Sequence, residues 1–227
     1  KNSNLHRVVL FRDDASKANQ IVPFSSDDSS NPEDLWQFLQ GYEQKTGGDV
    51  LAIPHNGNLS NGGMFDVLDS SGQPIDRSYA KTRSRWEPLY EVTQIKGDSE
   101  THPLISPLDE FADLGTWTRR VDNTIPSAKS NVEKRQSEYA RSGLKLGLQQ
   151  QQKLGLNPFK FGLIGSTDSH TGMATADEDN FWGKVAVSEP SPGRIMKPLL
   201  PGVPNWKTEA SGYAAVWAEE NTREALF

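Results

Sequence analysis

The sequence contains no cysteine, and this absence excludes several kinds of site at once. Disulfide bonds, thiolate metal ligands and a cysteine nucleophile all require a thiol. Any metal ion bound by this chain must therefore be held by His, Asp and Glu side chains. The absence does not fix the cellular compartment, because exported proteins can also lack cysteine.

Positive charge and long apolar runs are scarce as well. The 227 residues include 24 Lys plus Arg against 30 Asp plus Glu, a formal net charge of -6. The basic residues form no cluster, which argues against a nucleic-acid-binding groove. No apolar run approaches the roughly 20 residues that a membrane-spanning helix needs. Since six Trp, nine Phe and five Tyr can fill a core, we expect one soluble, loop-rich α/β domain over residues 1–227.

Short apolar runs alternate with helical segments along the chain. Five such runs predict buried strands, at residues 7–11, 50–54, 90–95, 161–164 and 213–217. The two longest predicted helices cover residues 32–46 and 131–154. A helix followed closely by an apolar strand is typical of parallel α/β folds. Residues 66–86 are interpreted as a polar excursion or a short charged helix, and five prolines between 188 and 206 predict an irregular loop.

Three of the four histidines lie at or after predicted strands. His55 ends the second strand, His102 follows the third, and His170 follows the fourth. In parallel α/β folds ligands bind at the carboxyl ends of the strands. The fourth, His6, lies just before the first strand. One histidine in such a place is more often a hydrogen-bonded structural residue, so it is the recurrence that indicates a site.

Asp168 and His170 form the most specific local pair. If the segment is extended, residues two apart point to the same side, so that a carboxylate and an imidazole converge. Oxygen and nitrogen donors without sulfur suit a divalent ion such as Zn²⁺, Mn²⁺ or Fe²⁺. The alternative interpretation is an Asp–His hydrogen bond within a polar turn, because this short motif is common.

Longer motifs occur in order after the predicted strands. They are the segments HNGN at 55–58, EVTQIKGDSETH at 91–102, GSTDSH at 165–170 and WAEENTR at 217–223. Together they resemble the DUF3604 family of uncharacterised proteins over nearly the whole chain. That family in turn resembles the PHP (polymerase and histidinol phosphatase) superfamily of metal-dependent phosphoesterases.

This resemblance implies a fold and a metal cluster. The fold would be a distorted seven-stranded β/α barrel of TIM-like type with long loop insertions. The cluster would hold two or three Zn, Mn or Fe ions at the strand carboxyl ends. His6, His55, Asp168 and His170 would match metal ligands of the superfamily. Such clusters generate hydroxide at neutral pH and bind both the attacking and the leaving oxygen.

One departure from the superfamily pattern concerns whether the chain carries all of the expected metal ligands. The superfamily begins with a His-x-His strand, followed by Asp-His and Glu motifs, and none of these precedes His6. We expect them upstream of Lys1 in a longer parent, which would leave the barrel incomplete at its N-terminus. An N-terminal piece of the same parent is then an expected partner that completes the site.

The resemblance also suggests roles for polar residues near the expected site. Lys96 would neutralise a phosphate oxygen, and Glu100 or His102 would transfer a proton to the leaving group. An ordinary polar loop is the competing interpretation for these three residues. The residues expected to contact substrate or to orient His55 are Arg12, Asn56 and Asn58, although a solvent-facing arginine is nearly as good a reading of Arg12.

A metal-dependent hydrolase of a small phosphate ester is the leading functional hypothesis. The alternatives are a non-catalytic binding or structural domain with an incomplete metal site, and a metal-dependent amidohydrolase or esterase. No Gly-x-Ser-x-Gly motif, P-loop or dinucleotide-binding fingerprint occurs in the sequence. Related proteins often carry export signals, so a periplasmic or secreted location is an open hypothesis.

Overall fold

The computed structural model of the chain describes residues 4–117, 132–170 and 213–227. Strands occupy β1 (Arg7–Phe11), β2 (Val50–Pro54), β3 (Leu89–Gln94), β4 (Gly97–Asp98) and β5 (Gly162–Gly165). Helices occupy α1 (Ala15–Ala18), α2 (Pro32–Thr46), α3 (Arg77–Trp86), α4 (Val132–Gln136), α5 (Ala140–Leu154) and α6 (Arg223–Leu226), and Gly57–Leu59 forms a 3₁₀ turn. No helix in these ranges combines the length and the apolar character that crossing a bilayer requires.

The strands form two small sheets. β1 and β2 pair antiparallel, from Arg7 opposite Pro54 to Phe11 opposite Val50. β3 pairs antiparallel with β4 and parallel with β5. Within the described ranges the sheets have two and three strands and do not close, so the seven-stranded barrel stays a prediction.

The prediction of parallel strands is confirmed for β3 and β5 but is wrong for β1 and β2. The long connection through α1 and α2 brings the chain back to the end of the sheet at which β1 finishes. Val50 therefore enters β2 opposite Phe11, where β1 ends. A helical connection allows a parallel crossover between two strands but does not require it. A connection of this length is also long enough for the second strand to return antiparallel to the first.

Of three other expectations, one is wrong, one is correct in part and one is confirmed. Residues 213–217, predicted as a strand, form no strand, and Trp217 is fully exposed because none of the described strands pairs with this run. The helix predicted over 131–154 is divided into α4 and α5, since Tyr139 adopts an extended backbone conformation at the start of α5. The charged segment 66–86 does contain a helix, α3. The proline-rich 188–206 segment lies outside the described residues.

The first core cluster packs α2 on the β1–β2 sheet. The stripe of buried residues on α2 consists of Leu35, Trp36, Leu39 and Tyr42, and it covers Val50 and Ala52 of β2. This spacing places the four side chains on one helical face. Each fully buried side chain of this kind contributes about 1.5–3 kcal/mol. The sheet that carries His6 and His55 is thereby held against α2.

The second core cluster joins β3, α5 and the segment before β5. Phe65 lies at its centre, fully buried, with ring centroids 5.0 Å from Tyr90 and 5.5 Å from Phe159. An added Cβ at Gly143 of α5 would come within 2.8 Å of the Phe65 ring, so glycine allows the helix to approach this closely. The packing fixes β3, and with it the turn that follows β3.

A buried ionic group connects the two sheets through the end of α3. Glu87 accepts hydrogen bonds from Arg7 Nε at 3.0 Å and Trp36 Nε1 at 2.9 Å, and its other oxygen lies 3.2 Å from Arg83 Nε. Burial alone would raise the pKa of the Glu87 carboxyl, but the charges of Arg7 and Arg83 outweigh it and lower this pKa. Glu87 therefore stays ionised while it joins β1, α2 and α3.

Candidate functional site

The antiparallel register of β1 and β2 places His6 beside His55. The backbone N–H of His55 donates to the His6 carbonyl at 3.1 Å. The two imidazole rings lie with centroids 5.6 Å apart and planes at 76°. Because 49 positions separate these residues along the chain, only the strand pairing makes them neighbours.

Both imidazoles are held in the neutral form. Burial lowers the pKa of His55 to about 3, with further lowering from the charges of Lys96 and His6, while the Ile53 backbone acts in the opposite direction. His6 is exposed at the surface, but partial desolvation of its ring lowers its pKa, followed by the charges of Lys96, His170 and Arg7. A neutral imidazole has a lone pair to offer, which is the form that binds a metal ion.

Lys96 and Asp168 approach the histidines from the second sheet. Lys96 lies between β3 and β4, where Gly97 adopts a φ of 96°. Asp168 follows β5, and because β3 and β5 are parallel, their carboxyl ends share one edge of the sheet. The Lys96 ammonium group donates a hydrogen bond to Asp168 Oδ2. A lysine from one strand end therefore neutralises a carboxylate from the next.

His170 lies beside the same carboxylate. Its Nε2 atom is 3.5 Å from Asp168 Oδ1. The expected proximity of this pair is thus present, although the assumed extended backbone is wrong, because Asp168 has a left-handed φ of 49°. Aspartate is one of the few residues other than glycine that adopt this left-handed conformation. The turn around Asp168 is closed by a hydrogen bond from Ser169 N to Thr167 Oγ1.

Five of the residues predicted as ligands or catalytic groups therefore come together from separate segments: His6, His55, Lys96, Asp168 and His170. Their donor atoms are the nitrogen and oxygen types that suit a transition-metal ion. The buried Nδ1 of His55 has no hydrogen-bond partner among the described residues. A nitrogen atom whose role is to bind a metal ion would also have no protein partner when the ion is absent. Within those residues, however, no three His, Asp or Glu side chains are grouped closely enough to hold one ion. The fit to a metal is thus pairwise, through His6 with His55 and Asp168 with His170.

The loop after His55 supports Lys96. Asn58 is buried, its Nδ2 donates to the Lys96 carbonyl at 3.0 Å, and its Oδ1 accepts from Ser99 Oγ at 2.9 Å. A Cβ on Gly57 would lie 1.9 Å from the Tyr90 hydroxyl oxygen, so that only glycine fits this position. The Asn58 amide, predicted to contact substrate or orient His55, thus holds the 56–58 loop to the Lys96 turn.

Asn56, the other predicted asparagine, adopts a left-handed φ of 61° and is almost fully buried. Its Nδ2 lies 3.5 Å from Asn4 Oδ1, the limit of a hydrogen bond. Within the described part of the chain, its Oδ1 has no hydrogen-bond partner. Substrate binding by Asn56 stays a prediction.

Arg12 lies away from the histidine pair. It follows β1 at the end opposite His6, and its Nη1 binds Asp49 Oδ2 at 3.1 Å just before β2. Five residues of strand, about 17 Å at 3.3–3.4 Å per residue, separate it from the His6 end of the sheet. The structure thus does not bring Arg12 to the residues that converge at this site, because Arg12 and His6 flank opposite ends of β1.

Glu100 and His102 contact other groups. Arg141 Nη2 lies 2.7 Å from Glu100 Oε1 in a pair that is nearly half exposed. His102 Nδ1 accepts from Leu104 N at 3.1 Å, and its ring lies 5.6 Å from that of Tyr139. Acid–base catalysis by either residue stays a prediction.

A cleft that no sequence motif indicated opens beside the histidines. It has a volume of about 390 Å³, and the histidine end is formed by His6 and His55. Residues of the loop 24–31 and of the first turn of α2 form most of the remaining lining. The run Ser-Ser-Asp-Asp-Ser-Ser at 25–30 was the available signal, but its composition is equally typical of any polar turn.

The comparisons with known proteins identify a family without an assigned activity. No curated protein and no solved structure matches the chain. The model of the family described as "Protein of unknown function (DUF3604)" matches residues 1–227, the full length of the sequence. The motifs around His55, Lys96 and Asp168 lie within that match and contribute the residues that converge at the site. The chain belongs to the DUF3604 family.

Proposed function

We propose that this site belongs to a metal-dependent hydrolase that acts on a phosphate ester. The observation that carries the proposal is the convergence of His6, His55, Lys96, Asp168 and His170 from the edges of two sheets. Fold stability alone does not require two pairs of donor side chains, His6 with His55 and Asp168 with His170, near one ammonium group. That ammonium group, on Lys96, bonds Asp168 and lowers the pKa of both His6 and His55. The resemblance of the sequence motifs to PHP phosphoesterases, which the comparisons do not test, led to the same proposal from the sequence. If the predicted barrel is present, β3 and β5 would be neighbouring strands of it.

The neutral, negative and positive side chains of the site would have different roles. His6 and His55 would bind a metal ion through neutral nitrogen atoms, and Asp168 with His170 would form a second pair of ligands. A bound divalent ion would supply a hydroxide at neutral pH and would polarise the phosphoryl oxygens. Lys96 would place positive charge next to the reacting phosphate, where negative charge accumulates during hydrolysis. Burial of His55 keeps water away from one side of this region.

A metal-independent binding domain is the second candidate, and the Lys96–Asp168 pair favours it. The ammonium group already neutralises the carboxylate that a metal ion would need. In that arrangement Lys96 and the imidazoles would bind an anion without hydrolysing it. Hydrolysis of an amide or a carboxylate ester remains a substrate-level alternative within the first candidate, because metal-bound hydroxide attacks several electrophiles.

Hydrolysis of p-nitrophenyl phosphate tests the proposal. With Mn²⁺ or Zn²⁺ added, the protein is expected to release nitrophenolate, and chelation should abolish the release. His55→Ala should lower kcat/KM by roughly 100-fold or more, because a metal ligand is lost. Asp113→Ala, which removes an exposed carboxylate elsewhere, should leave the rate unchanged. Metal-independent hydrolysis, or equal rates for His55→Ala and wild type, would refute the proposal.

A further inference from the structure

The cleft beside His6 and His55 has the composition of a binding site for an uncharged group. The apolar residues of its lining, called the apolar wall, are Leu5, Val9, Phe24 and Leu35. The polar residues of the loop 24–31 in its lining, called the serine wall, are Ser25, Ser26, Ser29, Ser30 and Asn31. A cleft of about 390 Å³ falls within the range of about 300–1,000 Å³ that small-molecule sites occupy. The lining thus offers both hydrogen-bonding groups and an apolar surface for C–H groups.

His55 shows that the histidine end of the cleft is prepared for a ligand. This side chain is only 7 % exposed, and it lines the cleft. Its buried Nδ1 has no hydrogen-bond partner among the described residues. Buried polar atoms are nearly always satisfied, so an exception on a side chain that lines a cleft points to a group that binds there.

The charges around the cleft disfavour a second anionic group. Arg7 is the one Lys or Arg among the described residues that line it, and Glu87 offsets the charge of Arg7. Two carboxylates support the serine wall from behind, since Asp28 accepts from Ser25 Oγ and Asp34 accepts from Ser29 Oγ. The first turn of α2, whose N-terminal end would otherwise attract an anion, carries Glu33 and Asp34.

A neighbouring cleft extends the acidic character. It shares Leu5, Ser30, Asn31 and Pro32 with the first cleft and is lined in addition by Glu33, Asp66 and Asp69. A phosphate or carboxylate group placed beyond the serine wall would face these three side chains. Since no Lys or Arg lines this neighbouring cleft within the described residues, an anion would gain no compensating attraction.

Serine and asparagine provide the matching interactions for hydroxyl groups. The Ser25 and Ser29 hydroxyls already donate and accept hydrogen bonds within the loop. The groups left to bind a ligand hydroxyl are the side chains of Ser26, Ser30 and Asn31, each of which carries both a donor and an acceptor. The apolar wall includes the Phe24 ring, which can pack against the C–H face of a saturated ring. These are the two chemistries that a sugar or cyclic polyol presents together.

We propose that this cleft binds the alcohol portion of the substrate, and that this portion is an uncharged, hydroxyl-bearing ring such as a sugar or cyclic polyol. The inference rests on the phosphoesterase function proposed above and adds the substrate class. The ester phosphate would lie at the histidine end, next to Lys96. The ring would extend along the serine wall of loop 24–31. Monophosphates of neutral polyols are therefore preferred over bisphosphates and nucleotides.

Chemical-shift mapping on the ¹⁵N-labelled full chain tests the ligand class without requiring catalysis. Methyl α-glucoside at millimolar concentration is the neutral probe, and inorganic phosphate is the anionic probe. The glucoside is expected to shift the backbone signals of Ser26, Ser30 and Asn31 in a saturable manner, and phosphate alone should leave them in place. Shifts of these signals by phosphate but not by the glucoside, or by neither probe, overturn the inference.

A blocking variant with a matched control locates the binding. Ser30→Trp should fill the cleft and weaken glucoside binding by about tenfold or more, and Ser30→Ala should weaken it less. Ser78→Trp, on the exposed face of α3 outside the cleft, should bind the glucoside as wild type does. A dispersed spectrum confirms that each variant is folded. Unchanged binding in both Ser30 variants overturns the inference.

Kinetics separates this inference from the hydrolase proposal. If the glucoside maps to the serine wall but no phosphate ester is hydrolysed, the proposed function fails and the binding site stands. If esters are hydrolysed, glucose 6-phosphate should have at least a tenfold higher kcat/KM than fructose 1,6-bisphosphate, a difference of about 1.4 kcal/mol. Equal or reversed preference refutes the substrate class and leaves the hydrolase proposal intact.

Discussion

Replacing Glu87 with glutamine is expected to lower the free energy of unfolding by about 3–5 kcal/mol. The glutamine amide is neutral, so that it can no longer balance the charges of Arg7 and Arg83. Both guanidinium groups are at most 5 % exposed and would remain buried with uncompensated charge. The Trp36 indole N–H would also lose the carboxylate to which it donates. Urea denaturation followed by tryptophan fluorescence measures the change.

Glu43→Gln is the matched control for this experiment. Glu43 also binds an arginine, with Arg85 Nη2 at 2.6 Å, but half of the Arg85 side chain is exposed. A surface pair of this kind contributes up to about 1 kcal/mol, so the control should unfold close to wild type. If both variants lose the same stability, the burial argument for Glu87 is wrong.

The Glu87 group also bears on the site, since Arg7 is the neighbour of His6. Arg7 Nη1 donates to the Leu5 carbonyl at 2.6 Å while Nε binds Glu87. These two bonds tie the start of β1 on both sides of His6. A Glu87 variant that still folds should therefore show altered His6 and His55 ring signals, whereas Glu43→Gln should not.

Replacing Lys96 with methionine is expected to increase the affinity for a divalent metal ion by at least tenfold. The ammonium group bonds Asp168 and places positive charge close to His6 and His55. Two unit charges 4 Å apart repel by about 4 kcal/mol at an effective dielectric constant of 20, and about 1.4 kcal/mol suffices for tenfold. Methionine retains most of the side-chain volume without the charge. Isothermal titration calorimetry with Mn²⁺ or Zn²⁺ measures the affinity.

Lys17→Met provides the comparison for Lys96→Met. Lys17 makes a similar lysine–aspartate pair, with its Nζ 2.9 Å from Asp13 Oδ1, near the end of β1 remote from His6. Its removal should leave metal affinity unchanged. Phosphate-ester hydrolysis by Lys96→Met should nevertheless fall, because the charge that binds the phosphate is lost. Unaltered or weaker metal binding by Lys96→Met would show that this ammonium group does not compete for the ligands.

Local sequence signals predicted individual elements well. Pro32 at the first position of α2 and Gly47 after its last turn define the helix found at Pro32–Thr46, and Gly47 has the left-handed φ of 63° expected for a helix end. The apolar runs at 7–11 and 50–54 are β1 and β2 with those bounds. Side-chain period and capping act over a few residues, so these features can be read from the sequence.

Relations between distant segments were harder to predict. The orientation of β1 against β2 depends on the path of the 38 intervening residues from 12 to 49, which carries no local signal. The run at 213–217 has strand composition but forms no strand, because β structure requires a pairing partner.

The same distinction between local and long-range features applies to the candidate site. His55 and His170 were predicted because each follows an apolar strand, and Asp168 because it lies two residues before His170. The family resemblance then grouped these three residues with His6. The ion pair between Lys96 and Asp168 depends on β3 and β5 being parallel neighbours, a long-range property. The serine wall of the cleft was missed because serine and aspartate in a loop indicate a turn before they indicate a ligand.

Metal content measured by mass spectrometry tests the central claim most directly. The purified wild-type chain is compared with a His55→Ala/Asp168→Ala double variant, after equilibration with Mn²⁺ and Zn²⁺ and removal of free ions. Circular dichroism verifies that both proteins are folded. The account predicts at least one tightly bound transition-metal ion per wild-type chain and its loss in the double variant. Absence of metal from both proteins, or equal content in both, would contradict the assignment of these residues as metal ligands.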